Sequence, residues 1–178
     1  MTEDVRSRMI EFLPRLRRFA YTLTRNSDQA DDLVQDTCER ALARIELWKP
    51  GTKLESWMYQ IARNLWVDRG RAARVRGESA DLNSALNIAG SDGRTVTENC
   101  LMVSRVFECM ERLTRDQQVL LALVCVEGLT YPEAAEILGI PVGTVMSRLS
   151  RARQAIGAAI LDKSDAKHGA ETSVGKRP

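Results

Sequence analysis

Three stretches of the 178-residue chain concentrate side chains suited to recognising another macromolecule. Between Asp28 and Leu47 there are six acids against two arginines. On a helix through that segment Asp28, Asp32, Gln35, Asp36 and Glu39 share a side, with Asp31 beside them. Such a face repels nucleic-acid phosphate and suits a basic protein surface, a solvated helix face being the plainer alternative. Between Lys53 and Arg76, the rings of Trp57, Tyr59 and Trp66 lie among Arg63, Arg69, Arg71, Arg74 and Arg76. Rings among cations hold unstacked bases along a single strand, at ~1–3 kcal/mol per stacked base. Against that, a tryptophan or tyrosine on a helix more often belongs to the core. From Gly128 the chain reads GLTYPEAAEILGIPVGTVMSRLSRARQAI, in which Thr144, Ser147, Arg148, Arg151 and Gln154 share a side and Arg153 flanks it. These residue types reach base edges and phosphates in a major groove, arginine being the usual partner of guanine. An ordinary helical hairpin with a solvated arginine face is the alternative here.

No comparable pattern points to catalysis. The single histidine, His168, stands near the C-terminus, and the chain has neither a glycine-rich phosphate loop nor a nucleophile motif. Cys38, Cys100, Cys109 and Cys125 form no C-x-x-C pair. That spacing argues against zinc, haem and a disulfide framework and suits a reducing cytosol. The thiols read as buried and structural. The chain is thus expected to be no enzyme and to need no metal or cofactor. The charged N-terminus leads into no apolar run of the kind a secretory signal has. The longest purely apolar stretch, Val119 to Val126, falls well short of the ~20 residues of a membrane span. A cytoplasmic protein without membrane insertion is the expectation.

The elements that must position these residues are helices throughout. The spacing predicts them at about 4–25, 28–47, 53–75, 96–112, 115–127, 131–138 and 142–160, with Ser27 capping the second. Capping boxes, in which a Ser or Thr and a Glu or Gln three residues on satisfy each other's orphan N–H groups, are expected at Thr52/Glu55, Thr95/Glu98, Thr114/Gln117 and Thr130/Glu133. The second helix would bury Ala30, Leu33, Val34, Cys38, Ala41, Leu42 and Ile45. In the third, Leu54, Met58, Ile61, Ala62 and Leu65 form the core stripe, leaving Trp57, Tyr59, Arg63, Asn64, Trp66, Asp68 and Arg69 partly available. In the last, Val145, Leu149, Ala152 and Ile156 recur on one side. Residues 77–94 are rich in Gly, Ser, Asp and Asn, a linker composition. The expected fold is all-α: two small helical domains joined by a flexible linker, the C-terminal one a helix-turn-helix. The divisions are 1–76, a linker 77–95, a second domain 96–162 and a frayed tail 163–178.

The strings QADDLVQDTCERAL, SWMYQIARNLWVDRGR and GLTYPEAAEILGIPVGTVMSRLSRAR resemble the extracytoplasmic-function (ECF) sigma factors of bacterial RNA polymerase. They stand in the family's order, over about residues 8–76 and 105–157. The resemblance implies an alternative sigma factor that binds core RNA polymerase and directs promoter recognition, promoter melting and transcription initiation. It implies that Asp31, Asp32, Gln35 and Asp36 dock on the polymerase. Lys53, Trp57, Arg63, Asn64, Asp68 and Arg69 would then engage the −10 element as single-stranded DNA, and Thr144, Ser147, Arg148, Arg151 and Arg153 the −35 element as duplex. It implies an anti-sigma factor as a further partner, and the texture RRFAYTLTRN…PGTKLESWMYQ suggests a stress-response branch. Thr114 stands where the family usually has Pro, and Pro132 and Ala134 replace the commoner Glu and Ile. Met146 replaces a frequent Lys, a lost phosphate contact that should lower the salt slope of DNA binding by about one unit. Two other classes fit parts of the chain. A sigma-like decoy for an anti-sigma factor would have no use for Arg148, Arg151 and Arg153. A helix-turn-helix repressor would leave the first two stretches without work.

Overall fold

The computed structural model describes residues 2–76, 108–110 and 112–171. The expected linker, most of the helix expected at 96–112, the Thr95/Glu98 box and Cys100 lie outside the described residues. Every regular element among the described residues is helical, and no strand occurs there.

Three helices build the N-terminal half: α1 (Thr2–Thr24), α2 (Ser27–Ala43) and α3 (Leu54–Val75). Along α1, Val5, Met9, Phe12, Leu16, Phe19, Ala20 and Leu23 recur every three or four residues and are all buried, the apolar stripe of an amphipathic helix. The chain reverses through Arg25, which takes a left-handed φ of 59°. Asn26, not Ser27, then caps α2, its side chain accepting the Gln29 N–H at 3.0 Å. The Ser27 hydroxyl instead accepts from the Arg17 guanidinium. In α2 the buried set is Ala30, Leu33, Thr37 and Ala41. Thr37 enters it because its hydroxyl donates to the Leu33 carbonyl at 2.6 Å, so no polar group is orphaned. Leu42, expected in the core, is exposed; with Met9, Ile10, Leu13 and Cys38 it lines an apolar groove between α1 and α2. A 3-10 turn, Ile45–Leu47, leads to the loop before α3. No box forms there: Lys53 occupies the cap position without a side-chain bond, while Thr52 donates to the Lys49 carbonyl.

In the C-terminal half, α4 (Arg115–Leu121) and α5 (Tyr131–Leu138) both open on the expected capping boxes, Thr114/Gln117 and Thr130/Glu133. At its end α4 loosens into a π turn, Ala122–Val126, closed by the Glu127 N–H bonding to the Ala122 carbonyl five residues back. Gly139, at φ 63°, ends α5 in the left-handed conformation that only glycine adopts at little cost. The chain then turns into α6 (Val142–Glu171), completing the helix-turn-helix. Helical backbone thus continues past the residue near 160 where it was expected to stop. Residues 158–171 hold four alanines, no proline and one glycine, Gly169, near their end, so no strong breaker stops the helix at 160.

The two halves share one continuous core. Phe12 and Phe19 meet the Tyr59 ring edge-on at centroid distances of 5.0 Å each. Tyr59 and Trp66, which sequence periodicity leaves partly available, are both buried.

Candidate nucleic-acid interface

On α6, Val145, Leu149 and Ala152 are buried with Ile156 partly so, which fixes which side faces out. Thr144, Ser147, Arg148 and Arg151, spaced i, i+3, i+4 and i+7, therefore form one outward stripe. Ser147 and Arg151 are exposed, Thr144 and Arg148 half-buried, and neither arginine has an ion-pair partner among the described residues. Arg153 does not join them. It lies about half a turn from Thr144 at ~100° per residue, and its guanidinium rests 3.7 Å from the Sγ of Cys125. Cys125 is exposed, against the expectation of a buried thiol; Cys109 is buried and Cys38 half-buried. The exposed Met146 lies on the same flank as Arg153.

The residues expected on the α3 face are in a different situation, because the C-terminal half packs over it. Lys53 donates to Glu133 at 2.5 Å, and Gln60 to the Glu136 carbonyl at 3.3 Å, both on α5. Arg63 bridges to Asp116 of α4 at 2.9 Å and also donates to Asn64. Trp57 is half-buried against the core. Asp68 pairs with Arg71 on its own helix, and Arg69 turns away to Asp36 and the Asp32 carbonyl on α2. The expected −10 residues thus do not present one free surface: Lys53 and Arg63 face the C-terminal half, whereas Arg69 faces α2.

Beneath this contact lies a cluster of side chains that the sequence did not single out. Glu127 follows the π turn, and its side chain has 0% exposure. It accepts from Tyr59 Oη at 2.8 Å, from Arg18 at 2.8 and 3.0 Å and from Arg15 at 3.3 Å. Burial alone would push its carboxyl up, but the Arg18 and Tyr59 bonds outweigh that and hold it below the ordinary range. Tyr59 is pushed well above its usual value, by burial first and by the Glu127 carboxylate second. Nearby, the Arg115 guanidinium lies 3.8 Å over the Trp66 ring, donates to the Trp66 carbonyl at 2.8 Å, and occupies the space a Cβ at Gly70 would fill. Its burial lowers its pKa. Glu133, held by Lys53 and by the Thr130 box, falls to about 2. The one sequence signal for Glu127 is its place as a lone acid directly behind the eight-residue apolar run Val119 to Val126.

The acidic face of α2 is partly neutralised from within. Asp31 takes a two-pronged bond from Arg17 at 2.6 and 3.1 Å, which lowers its pKa, and Asp36 is held by Arg69. Gln35 bonds to Glu39. Asp32 is exposed, and its carboxylate bonds to no other described residue. No grouping of His, Cys, Asp and Glu suited to a metal ion occurs among the described residues. None of the described helices is long and apolar enough to cross a membrane.

Comparison with known proteins gives the family. Residues 9–76 match the family model of Sigma-70 region 2, and residues 104–156 that of Sigma-70, region 4. Two such regions in that order define a promoter-specificity subunit of bacterial RNA polymerase. Over 158 residues, 89% of this chain and 86% of the relative, the sequence is 38% identical to the ECF RNA polymerase sigma factor EcfG of Rhodopseudomonas palustris. It is 29% identical to the ECF sigma factor SigW of Bacillus subtilis, over 82% of each chain. The fold superposes on the sigma factor RpoE of Bartonella quintana, solved in complex with the anti-sigma factor NepR, with a TM-score of 0.69, 30% identity and coverage of 89% of this chain and 97% of that one. The chain belongs to the ECF RNA polymerase sigma factors. It is an alternative sigma factor for transcription initiation, a non-catalytic partner of core RNA polymerase at promoter DNA.

Proposed function

We propose that α6 reads the −35 element as duplex through Thr144, Ser147, Arg148 and Arg151. Arg153, on the flank, reaches a phosphate rather than a base edge. Lys53, Trp57, Arg63, Asn64, Asp68 and Arg69 engage the −10 element once its strands part. Asp31, Asp32, Gln35 and Asp36 dock on core polymerase, with Asp32 the carboxylate freest to do so. The working units are residues 1–76 and 96–162, connected through 77–95. An anti-sigma factor is the further partner, as NepR is for the Bartonella relative, and the cytoplasm, where polymerase works, is the site of action.

The observation that carries this reading is the α6 stripe: four groups able to address base edges and phosphates, turned outward by a buried face of Val145, Leu149 and Ala152. Binding of the purified chain to bacterial core RNA polymerase, in competition with the primary sigma factor, tests its polymerase-docking part. Tight competitive binding that Asp32→Arg destroys is the expected result. Asp36 is a poorer choice, since an arginine there would confront Arg69. Undiminished binding by the folded Asp32→Arg protein would remove the acidic face from the reading.

A further inference from the structure

The two flanks of the outward side of α6 differ in chemistry. One carries Thr144, Arg148 and Arg151. The other carries Val142, Met146 and Ser150, spaced i, i+4 and i+8 and all exposed, Met146 at 53% and Val142 at 39%. Met146 does not serve the core, because Val145, Leu149 and Ala152 fill that face. Beside it Gly143 has open space where a Cβ would stand, so the methionine is the tallest group at this end of the flank. The next cation along the flank, Arg153, lies about two turns further on and is turned to Cys125.

An uncharged, apolar flank on a helix that addresses a major groove has one match there. Base-pair edges in that groove display donors, acceptors and a single apolar group, the C5-methyl of thymine. The N-terminal residues of a recognition helix are the ones that reach base edges, and Val142 and Met146 stand in the first two turns of α6. An unbranched thioether chain with three rotatable bonds can follow the surface it meets. We propose that Met146, backed by Val142, is a specificity-determining residue that packs on the C5-methyl of a thymine in the −35 element. The proposal rests on the reading of α6 as the −35 helix. It gives the absent lysine a positive meaning. A cation at this place would hold a phosphate in any sequence, whereas the methionine favours one base pair. Binding here then depends more on sequence and less on salt.

The test uses the full-length chain assembled on core RNA polymerase, with promoter duplexes that this assembly selects from a random library. In the strongest selected duplex each thymine of the upstream element is replaced in turn by deoxyuridine, which removes the C5-methyl and nothing else. At one of them at least, the change should weaken wild type about fourfold, the worth of burying one methyl group. Met146→Ala should bind the thymine and deoxyuridine duplexes equally at that position. Met146→Lys should do the same and raise the salt slope by about one unit. Arg151→Ala should weaken binding to both duplexes and keep the preference for thymine. If wild type is indifferent to every deoxyuridine, or the selected element holds no thymine, the proposal fails. A thymine preference that survives in Met146→Ala overturns it too, because another group then reads the methyl. Arg151→Ala keeps the two readings apart. Undiminished affinity in that variant removes α6 as the −35 helix, whereas a loss there without any thymine preference leaves α6 reading the element and Met146 taking no part.

Discussion

α3 and α6 start from similar material, an apolar stripe flanked by arginines and polar groups, and end in opposite circumstances. The stripe of α6 stands in solvent with Arg148 and Arg151 unpaired among the described residues, while on α3 Lys53, Arg63 and Trp66 are each engaged by a residue from the other half. The difference lies in what each helix has behind it. One buried face anchors α6 and leaves the far side free. α3 packs on α1 and α2 and also on α4 and α5, with Leu54, Met58, Tyr59, Ala62, Leu65, Trp66 and Gly70 all buried. A charged helix face is therefore an available binding surface only once its opposite number is known.

Four measurements would break or sharpen this contrast. The largest effect should come from Arg148→Ala with Arg151→Ala, each arginine being worth ~1–3 kcal/mol at a base edge. Duplex affinity should fall about fivefold or more per arginine, with the melting temperature little changed because Arg151 is exposed and Arg148 only half-buried. Equal duplex affinity in a filter-binding titration would make the α6 stripe an ordinary solvated face.

Acid should act on the α3 side alone. Glu127 is held below the ordinary carboxylate range, so its contribution to the contact between the halves is complete above ~4.3 and is lost as pH falls through its own lower value. The groups facing it are Arg15 and Arg18 from α1 and Tyr59 from α3. Small-angle X-ray scattering on wild type should give one radius of gyration at pH 7 and pH 5 and a larger one below about pH 4, before circular dichroism reports loss of helix. Glu127→Gln should start expanded and show no such step.

How much of this was legible beforehand follows the range of each interaction. The boxes at Thr114 and Thr130 and the stripe of Val145, Leu149 and Ala152 depend on residues within one or two turns, and they stand where the sequence puts them. The Thr52 box fails because the loop before α3 draws the threonine into a turn with Lys49. Tyr59 and Trp66 could not be placed from the α3 period, since the groups that cover them come from far along the chain: Phe12, Phe19 and Glu127 at Tyr59, and Arg115 at Trp66. The same holds for Asp31 and Asp36. Their spacing describes a free acidic face, and only the packing of α1 and α3 on α2 brings Arg17 and Arg69 to them.

Smaller effects should follow within each half. Thr130→Ala removes one side of the α5 box and should cost about 0.5–2 kcal/mol by chemical denaturation. It should also weaken the contact between the halves slightly, because Glu133, which the box positions, is the partner of Lys53. The least effect is expected from Asp31→Ala. Its pair with Arg17 is exposed at both ends, a kind worth ~0–1 kcal/mol, so the midpoint should move by less than about 4 °C in a thermal scan. A larger shift would mean that the acidic face of α2 supports the fold as well as facing a partner.

The π turn at Ala122–Val126 has a consequence in length rather than in charge. By closing its bond over five residues it takes up one residue more per turn than the helix before it. Each residue of helix turns the chain by about 100°. A chain one residue shorter here, with the same composition and the same boxes on either side, would swing Glu127 out of the arginine socket and toward solvent. In this fold a single inserted or deleted position, invisible to any count of charges, decides whether Glu127 meets Arg15, Arg18 and Tyr59.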